Sequence, residues 1–274
     1  MCIRVYPQSR LPNSLQKLFT MNEHTHYQVR EANRNFYDYF ADKYESLERS
    51  VFHPRRQEQL EERIRTLCKE TGGGTVLDIG CGTGNVSKFA RKYSEMVVGV
   101  DISIEALKIN KTRTGINAIQ GDGLSLPFAD NTFDAITCFS VLHHFLDDGS
   151  LLKELNRVLK PGGILFTDND PNFYFFKYFG WRSKMRLFFN RKRLLNNNIS
   201  PEQLEIMNLA EYHADEGLKP EALEGIMKGA GFSQIEMFFY FHPNPDRFTR
   251  FLKVLASIYD FRGLYNLFYV HARK

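Results

Sequence analysis

The run Thr75-Val76-Leu77-Asp78-Ile79-Gly80-Cys81-Gly82-Thr83-Gly84-Asn85 constrains this chain more than any other segment. Its first five residues are the aliphatic and β-branched kind that favour a short strand. Glycines at 80, 82 and 84 follow, and Val86 to Tyr93 then reads as a helix. Glycine lets a backbone turn sharply and approach a ligand where a Cβ would collide. A strand entering a helix through such a turn is the first half of a βαβ unit.

The neighbouring sequence continues that alternation. Strands are predicted at Met96 to Val100, Asn117 to Gln120, Phe133 to Phe139 and Ile164 to Thr167, with helices after Ser103 and from Gly149 to Leu159. Ser103 is of the N-cap type for a helix through Arg113. After Asp168 the alternation stops for about 45 residues. It resumes with a helix from Pro220 to Ala230, a strand from Gln234 to Phe241, a helical stretch from Asp246 to Tyr259 and a closing strand from Tyr265 to Ala272. Strands alternating with helices imply an α/β fold, a doubly wound and mostly parallel sheet covered on both faces.

Five stretches are expected: a loose arm over 1–32, a helical cap over 33–72, a core over 73–170, an inserted lid over 171–215 and a return to the core over 216–274. In the cap, Phe36, Phe40, Tyr44 and Leu47 recur at helical spacing, and Pro54 suits the first turn of a second helix. In the lid, Ser200, Pro201 and Gln203 form a helix-start signature.

A net charge of +4 over 274 residues is too small to identify a nucleic-acid partner. Cys2, Cys68, Cys81 and Cys138 are far apart with no C-x-x-C pair, so neither a zinc ribbon nor a disulfide framework is expected. Met1 to Thr20 lacks a continuous apolar core, and no run of about 18 apolar residues occurs anywhere. A cytoplasmic location is therefore expected.

A dinucleotide-binding turn of the G-x-G-x-x-G kind would need glycine at 85, where the chain has Asn85, and no G-K-[ST] ending is present. Asp101 ends the second strand, about 20 positions on, where a carboxylate can accept from both hydroxyls of a ribose. Asp122 follows the third strand in Gln120-Gly121-Asp122-Gly123, and its side-chain oxygen could accept from an adenine amino group. Taken singly, each Asp is more often a helix cap or a solvated turn residue; together, at successive strand ends, they point to a binding crevice.

The stretches VLDIGCGTGN (76–85), VVGVDIS (97–103), GDGLSLPFADNTFDAI (121–136), VLHHF (141–145) and LKELNRVLKPGGILF (152–166) resemble class I S-adenosylmethionine-dependent methyltransferases. The likeness is strongest to the branch that methylates quinone and lipid precursors, and covers about a third of the chain. It implies a Rossmann-like, seven-stranded sheet whose last strand runs antiparallel, with an N-terminal helical cap and a lid inserted after strand five. It implies that Gly80, Gly82 and Gly84 contact S-adenosylmethionine, with Cys81 between them. It also puts Asp101 and Ile102 at the ribose, Asp122 and Gly123 at the adenine, Phe139 and Ser140 at the cofactor's edge, Asp78 near the methionine amine, and Tyr44 at the aromatic position of an N-terminal lid, separate from the inserted one. The product would be S-adenosylhomocysteine.

Methyl transfer from a sulfonium is an in-line displacement, so the protein mainly aligns the partners and excludes water. An acceptor hydroxyl or amine can also need a base. His143, His144 and Asp168 are the candidates; Asp168 and its neighbour Asp170 face the correct side but read more readily as a capped turn than as catalytic groups. By the resemblance, His143 matches a histidine whose duty is often structural. The spacing of His143, His144, Asp147 and Asp148 suits no metal, and none is expected. His24 and His26 form a weaker pair on the arm.

From Asn172 to Leu195 there is no acidic residue, while seven Lys and Arg interleave with nine aromatic rings. Such a segment suits an anionic membrane surface, a lid over an apolar pocket, or single-stranded nucleic acid. The fourth strand leads into Cys138-Phe139-Ser140-Val141, which lacks the Asn/Asp-Pro-Pro-aromatic and Pro-Cys motifs of DNA methyltransferases. A small, apolar or lipid-like acceptor is therefore expected. The alternatives are a protein that binds the cofactor without turnover, a nucleic-acid methyltransferase, and a nicotinamide-dependent oxidoreductase. Oligomeric state is not readable.

Overall fold

Seven strands form one sheet: β1 (Thr75–Ile79), β2 (Met96–Asp101), β3 (Asn117–Gln120), β4 (Phe133–Phe139), β5 (Leu159–Pro171), β6 (Ser233–Tyr240) and β7 (Leu267–Arg273). They are seen in a computed structural model that describes residues 13–145, 148–180, 217–241, 247–258 and 261–274, with side chains from Tyr27 onward. The strand order is β3-β2-β1-β4-β5-β7-β6. Pairings among β1 to β5 are parallel, and β7 runs antiparallel to both β5 and β6. This is the Rossmann-like doubly wound sheet the alternation predicts. The order reverses between β1 and β4, and that crevice is where such sheets bind ligands.

Side-chain alternation along the strands divides the core in two. Leu77, Ile136 and Leu165 point to one face, where α6 (Asp148–Val158) buries Leu151, Leu152 and Leu155, and the helix Pro220–Gly229 buries Leu223 and Met227. Val76, Ala135 and Ile164 point to the other. There α3 (Pro54–Glu70) buries Leu60, Ile64 and Leu67, and α4 (Ser87–Tyr93) buries Phe89 and Ala90. The six aliphatic side chains on α3 and α6 that are wholly buried (Leu60, Ile64, Leu151, Leu152, Leu155 and Val158) each contribute roughly 1.5–3 kcal/mol relative to exposure.

Ser103 caps α5 (Ile104–Thr114), its side chain accepting from the Ala106 amide, and Gly115 ends that helix in the left-handed region. Two boundaries differ from expectation. The first helix, α1, spans Asn13–Phe40, so residues 13–32 are helical rather than a loose arm. Its buried face is narrow: Val29, Ala32, Asn33 and Phe36 point inward among many polar residues. Strand β5 is longer than Ile164 to Thr167 because both of its ends find partners, Leu159 on β4 and Pro171 on β7.

A short helix, α2 (Tyr44–Leu47), follows α1. Of the expected lid, a helix over 173–180 is described, while the Ser200 to Gln203 signature and most of the basic-aromatic run lie outside the described residues. Cys2, Asp147 and the side chains of His24 and His26 also lie outside them. Cys68, Cys81 and Cys138 are buried free thiols. Among the described residues no helix is long and apolar enough to cross a membrane, and no cluster of His, Cys, Asp or Glu could hold a metal.

Candidate functional site

A cavity of about 410 Å³ lies at the carboxyl ends of β1, β2, β3 and β4 and is closed from above by α1 and Tyr44. It falls within the ordinary range for small-molecule sites, roughly 300–1,000 Å³.

The glycine turn forms its floor. Gly80 has φ +63°, and a Cβ there would lie 2.3 Å from Val141 Cγ2. Gly82 has φ +46°, a Cβ there would make only ordinary contacts at 3.9 Å or more, and its amide donates to Asp101 Oδ2 at 2.7 Å. Gly84 departs from the expectation of a cofactor contact. It does not line the cavity, and a Cβ there would meet Asn110 Oδ1 at 2.7 Å and Thr114 Cγ2 at 2.8 Å. This glycine is required by helix packing behind the turn.

Three carboxylates border the cavity. Asp101 accepts from the Gly82 amide through one oxygen and the Ser103 amide through the other, at 2.7 and 2.8 Å. Burial pushes its pKa up, against the opposing pull of those backbone donors. Each oxygen keeps a lone pair for an incoming hydroxyl. Asp78 is more deeply held: Ser87 Oγ donates to it at 2.5 Å and Thr137 Oγ1 at 2.8 Å. Burial nevertheless raises its pKa to about 6, with the nearby Asp101 charge adding to the effect. Asp122 is more open, accepting from the Leu124 amide at 3.1 Å and from Arg30 Nη1 at 3.1 Å. Cys81, Ile102, Gly123, Phe139, Ser140 and Tyr44 complete the expected set around the same cavity.

Of the candidate bases, only His144 lines the cavity. Its Nε2 is 2.9 Å from the Tyr37 hydroxyl, with the two rings edge to face. His143 is turned away and buried, its Nδ1 2.9 Å from Asp170 Oδ1. Asp168 is a second correction. It is wholly buried and bound by Arg56 at 2.9 Å, Arg63 at 2.7 Å and the Tyr240 hydroxyl at 2.6 Å. Both Arg56 and Asp168 are inaccessible to solvent. Held by two guanidinium groups and a phenol and absent from the cavity wall, Asp168 is a structural tie between α3, β5 and β6.

Sequence reading missed Arg30, Asn33 and Tyr37 on α1, and Asn85 after the glycine turn, all of which line the cavity. The spacing of Tyr27, Arg30, Asn33, Tyr37, Ala41 and Tyr44 by three and four was the signal available. Asn85 stands where a dinucleotide turn would have glycine. Its Oδ1 and Nδ2, and Asn33 Oδ1, are buried without a hydrogen-bond partner. Buried polar atoms are rarely left unpaired, and a polar ligand end in the cavity would satisfy all three.

The fold is that of class I S-adenosylmethionine-dependent methyltransferases, the architecture also seen at 16% identity in an S-adenosylmethionine-dependent methyltransferase from Mesorhizobium loti (TM-score 0.52, covering 78% of this chain and 96% of that one). Residues 77–167 match the methyltransferase domain family. The domain is related to quinone methyltransferases: it is 45% identical over 93 residues to the demethylmenaquinone methyltransferase of Corynebacterium kroppenstedtii. That match covers 34% of this chain and 40% of the relative, so the chain spans less than half the length of that protein. The SpnF cyclase has the same fold at 19% identity (TM-score 0.51, covering 78% of this chain and 81% of that one). A fold shared by a methyltransferase and a cyclase does not choose the reaction; the site must.

Proposed function

We propose that this chain transfers a methyl group from S-adenosylmethionine to a small, apolar, quinone- or lipid-like acceptor. The observation that carries the reading is the convergence of Asp78, Asp101 and Asp122, from three successive strand ends, on one cavity floored by the bare backbone of Gly82. The three unpaired carboxamide atoms of Asn85 and Asn33 fit the ammonium and carboxylate of a methionine end.

Asp101 would hold the ribose hydroxyls and Asp122 the adenine amino group. Asp78 would sit beside the ammonium, while Asn85 and Asn33 complete that end. Ile102, Gly123, Phe139 and Ser140 would pack along the cofactor's edges. The cofactor supplies a methyl group already activated on sulfur. The protein's part is to hold the acceptor in line, keep water out and take a proton where the acceptor carries one. His144, oriented by Tyr37, is the group placed for that proton. The closing helix α1 and the aromatic residues Tyr27, Tyr37 and Tyr44 give the cavity an apolar roof. This wall and the relationship to demethylmenaquinone methyltransferases support an apolar acceptor, met at a membrane surface.

The test is incubation with methyl-labelled S-adenosylmethionine and a quinone- and lipid-containing extract, followed by chromatography of the label. Label appearing in an apolar species, with release of S-adenosylhomocysteine, supports the reading. Cofactor binding without any labelled product would mean that the site binds but does not transfer. A thermal shift with a nicotinamide dinucleotide and none with S-adenosylmethionine would overturn the reading altogether.

A further inference from the structure

Beyond β6, the helix Arg247–Ile258 buries Leu252 and Ala256 in a small core shared with Leu264 and the aromatic rings of Phe175, Phe179 and Phe248. Its opposite side is exposed to solvent. Phe251, Val254 and Ile258 form a stripe at i, i+3 and i+7, and are 56%, 59% and 65% exposed. Phe261, past the helix end, and Tyr178, on the 173–180 helix, extend it with rings 5.9 Å apart. Single exposed hydrophobic residues are ordinary, but a contiguous apolar row marks an interaction surface.

The charges carried by the two helices themselves have one sign. Neither Arg247–Ile258 nor 173–180 contains an acidic residue. Arg250 and Lys253 are exposed on the first helix, Lys177 lies 5.8 Å from the Tyr178 ring, and Arg262 adjoins Phe261. The nearest acidic residues in sequence, Asp246 and Asp260, lie outside the described residues. An amphipathic helix with an aliphatic-aromatic face and a cationic flank matches an anionic lipid surface, where rings enter the interface and cations meet headgroups.

Its place in the fold links this surface to the cavity. Both β5 and β6 run antiparallel to β7, and Leu267 pairs with Pro171 of one and Tyr240 of the other. Their carboxyl ends are therefore level, and the helices that follow them emerge at the sheet edge that carries the cavity.

We infer that the Arg247–Ile258 helix, with Tyr178 and Phe261, is a docking face for anionic membrane, setting the cavity edge against the bilayer that holds an apolar acceptor. The acceptor's role rests on the proposed function; the docking itself does not.

The experiment is flotation of the full chain with phosphatidylcholine vesicles, with and without phosphatidylglycerol, at low and high salt. Wild-type protein should float with the phosphatidylglycerol vesicles and be released by salt. Phe251→Ser combined with Ile258→Ser should weaken that retention by at least about tenfold. Arg250→Ala with Lys253→Ala should abolish the preference for phosphatidylglycerol. Calorimetric binding of S-adenosylmethionine should be unchanged in both variants, which shows that they fold. Wild-type protein indifferent to anionic vesicles, or serine variants that float equally well, would overturn the inference. A dimer that Phe251→Ser dissolves would assign the face to a second copy and overturn the lipid reading. Flotation without any S-adenosylmethionine binding would instead remove the proposed function and leave the docking face standing.

Discussion

Arg30 of the closing helix reaches Asp122 at the end of β3, with Nη1 3.1 Å from Oδ2. The carboxylate proposed to read adenine is thus also an anchor for the roof of the cavity. Two more contacts tie α1 down: the Tyr37 hydroxyl to His144, and Asp38 Oδ1, which accepts from Ser103 Oγ at 2.6 Å. The Arg30 side chain is nearly half exposed, so its ion pair stabilises closure by only about 0–1 kcal/mol. A roof held by separate modest contacts can open for ligand exchange without unfolding the sheet.

The two members of that pair should separate in a binding experiment. Asp122→Ala removes the acceptor for adenine and should weaken S-adenosylmethionine binding about tenfold, the usual scale of one buried hydrogen bond. Arg30→Ala should change affinity by less than about threefold. Isothermal titration calorimetry reads both. A larger loss for Arg30→Ala would reverse the assignment.

His144 should act on turnover and not on cofactor affinity. His144→Gln is expected to lower kcat by about a hundredfold or more, within the range for a lost acid–base group, and Tyr37→Phe by about tenfold. The dissociation constant for S-adenosylmethionine should stay within about twofold. If both variants keep the wild-type pH–rate profile, these residues are only walls of the cavity.

Asp78 makes both stability and binding pH-dependent. Its pKa in the folded chain is about 6, above the ordinary value of 3.8. Between those values the native state holds more protons than the unfolded state, so stability falls as pH rises. This contribution is fully present below about 3.8 and is lost as pH rises through about 6. A ligand ammonium favours the ionised carboxylate, so affinity for S-adenosylmethionine should increase from about pH 5 to about pH 7.5. Asp78→Asn should flatten that rise. An equal slope in the variant would remove Asp78 from the account.

The Arg56–Asp168 pair carries stability. Burial opposes the charge on Arg56, while Asp168 and Tyr240 favour it enough to raise its pKa overall. Arg56→Met leaves Asp168 with only Arg63 and Tyr240 and should destabilise the fold by roughly 3 kcal/mol, the lower end for a broken buried pair. The loss should appear as a drop in Tm on the order of 10 °C. Arg63→Ala should cost less, because Arg63 is partly exposed and leaves Arg56 in place. A neutral Arg56→Met would show that water enters the pair.

The sequence alone determined the layers and the floor of the site. Period-two alternation sorts Val76 from Leu77 and Ile164 from Leu165 onto opposite faces, and this is a local property of a strand. The glycine turn, the carboxylates at three strand ends and the Ser103 cap are similarly local. Tertiary structure decided which of the remaining polar residues face the cavity. Asp168 and Asp170, two apart, would share a face on a regular strand. The register against β7 instead slips between them, at Asn169 with φ +67°, and they bind different partners, Arg56 and His143. A bulge depends on the neighbouring strand, so counting along one strand cannot reveal it. The roof of the cavity has the same origin. Arg30, Asn33 and Tyr37 became site residues only because α1, mostly polar in sequence, lies across the strand ends.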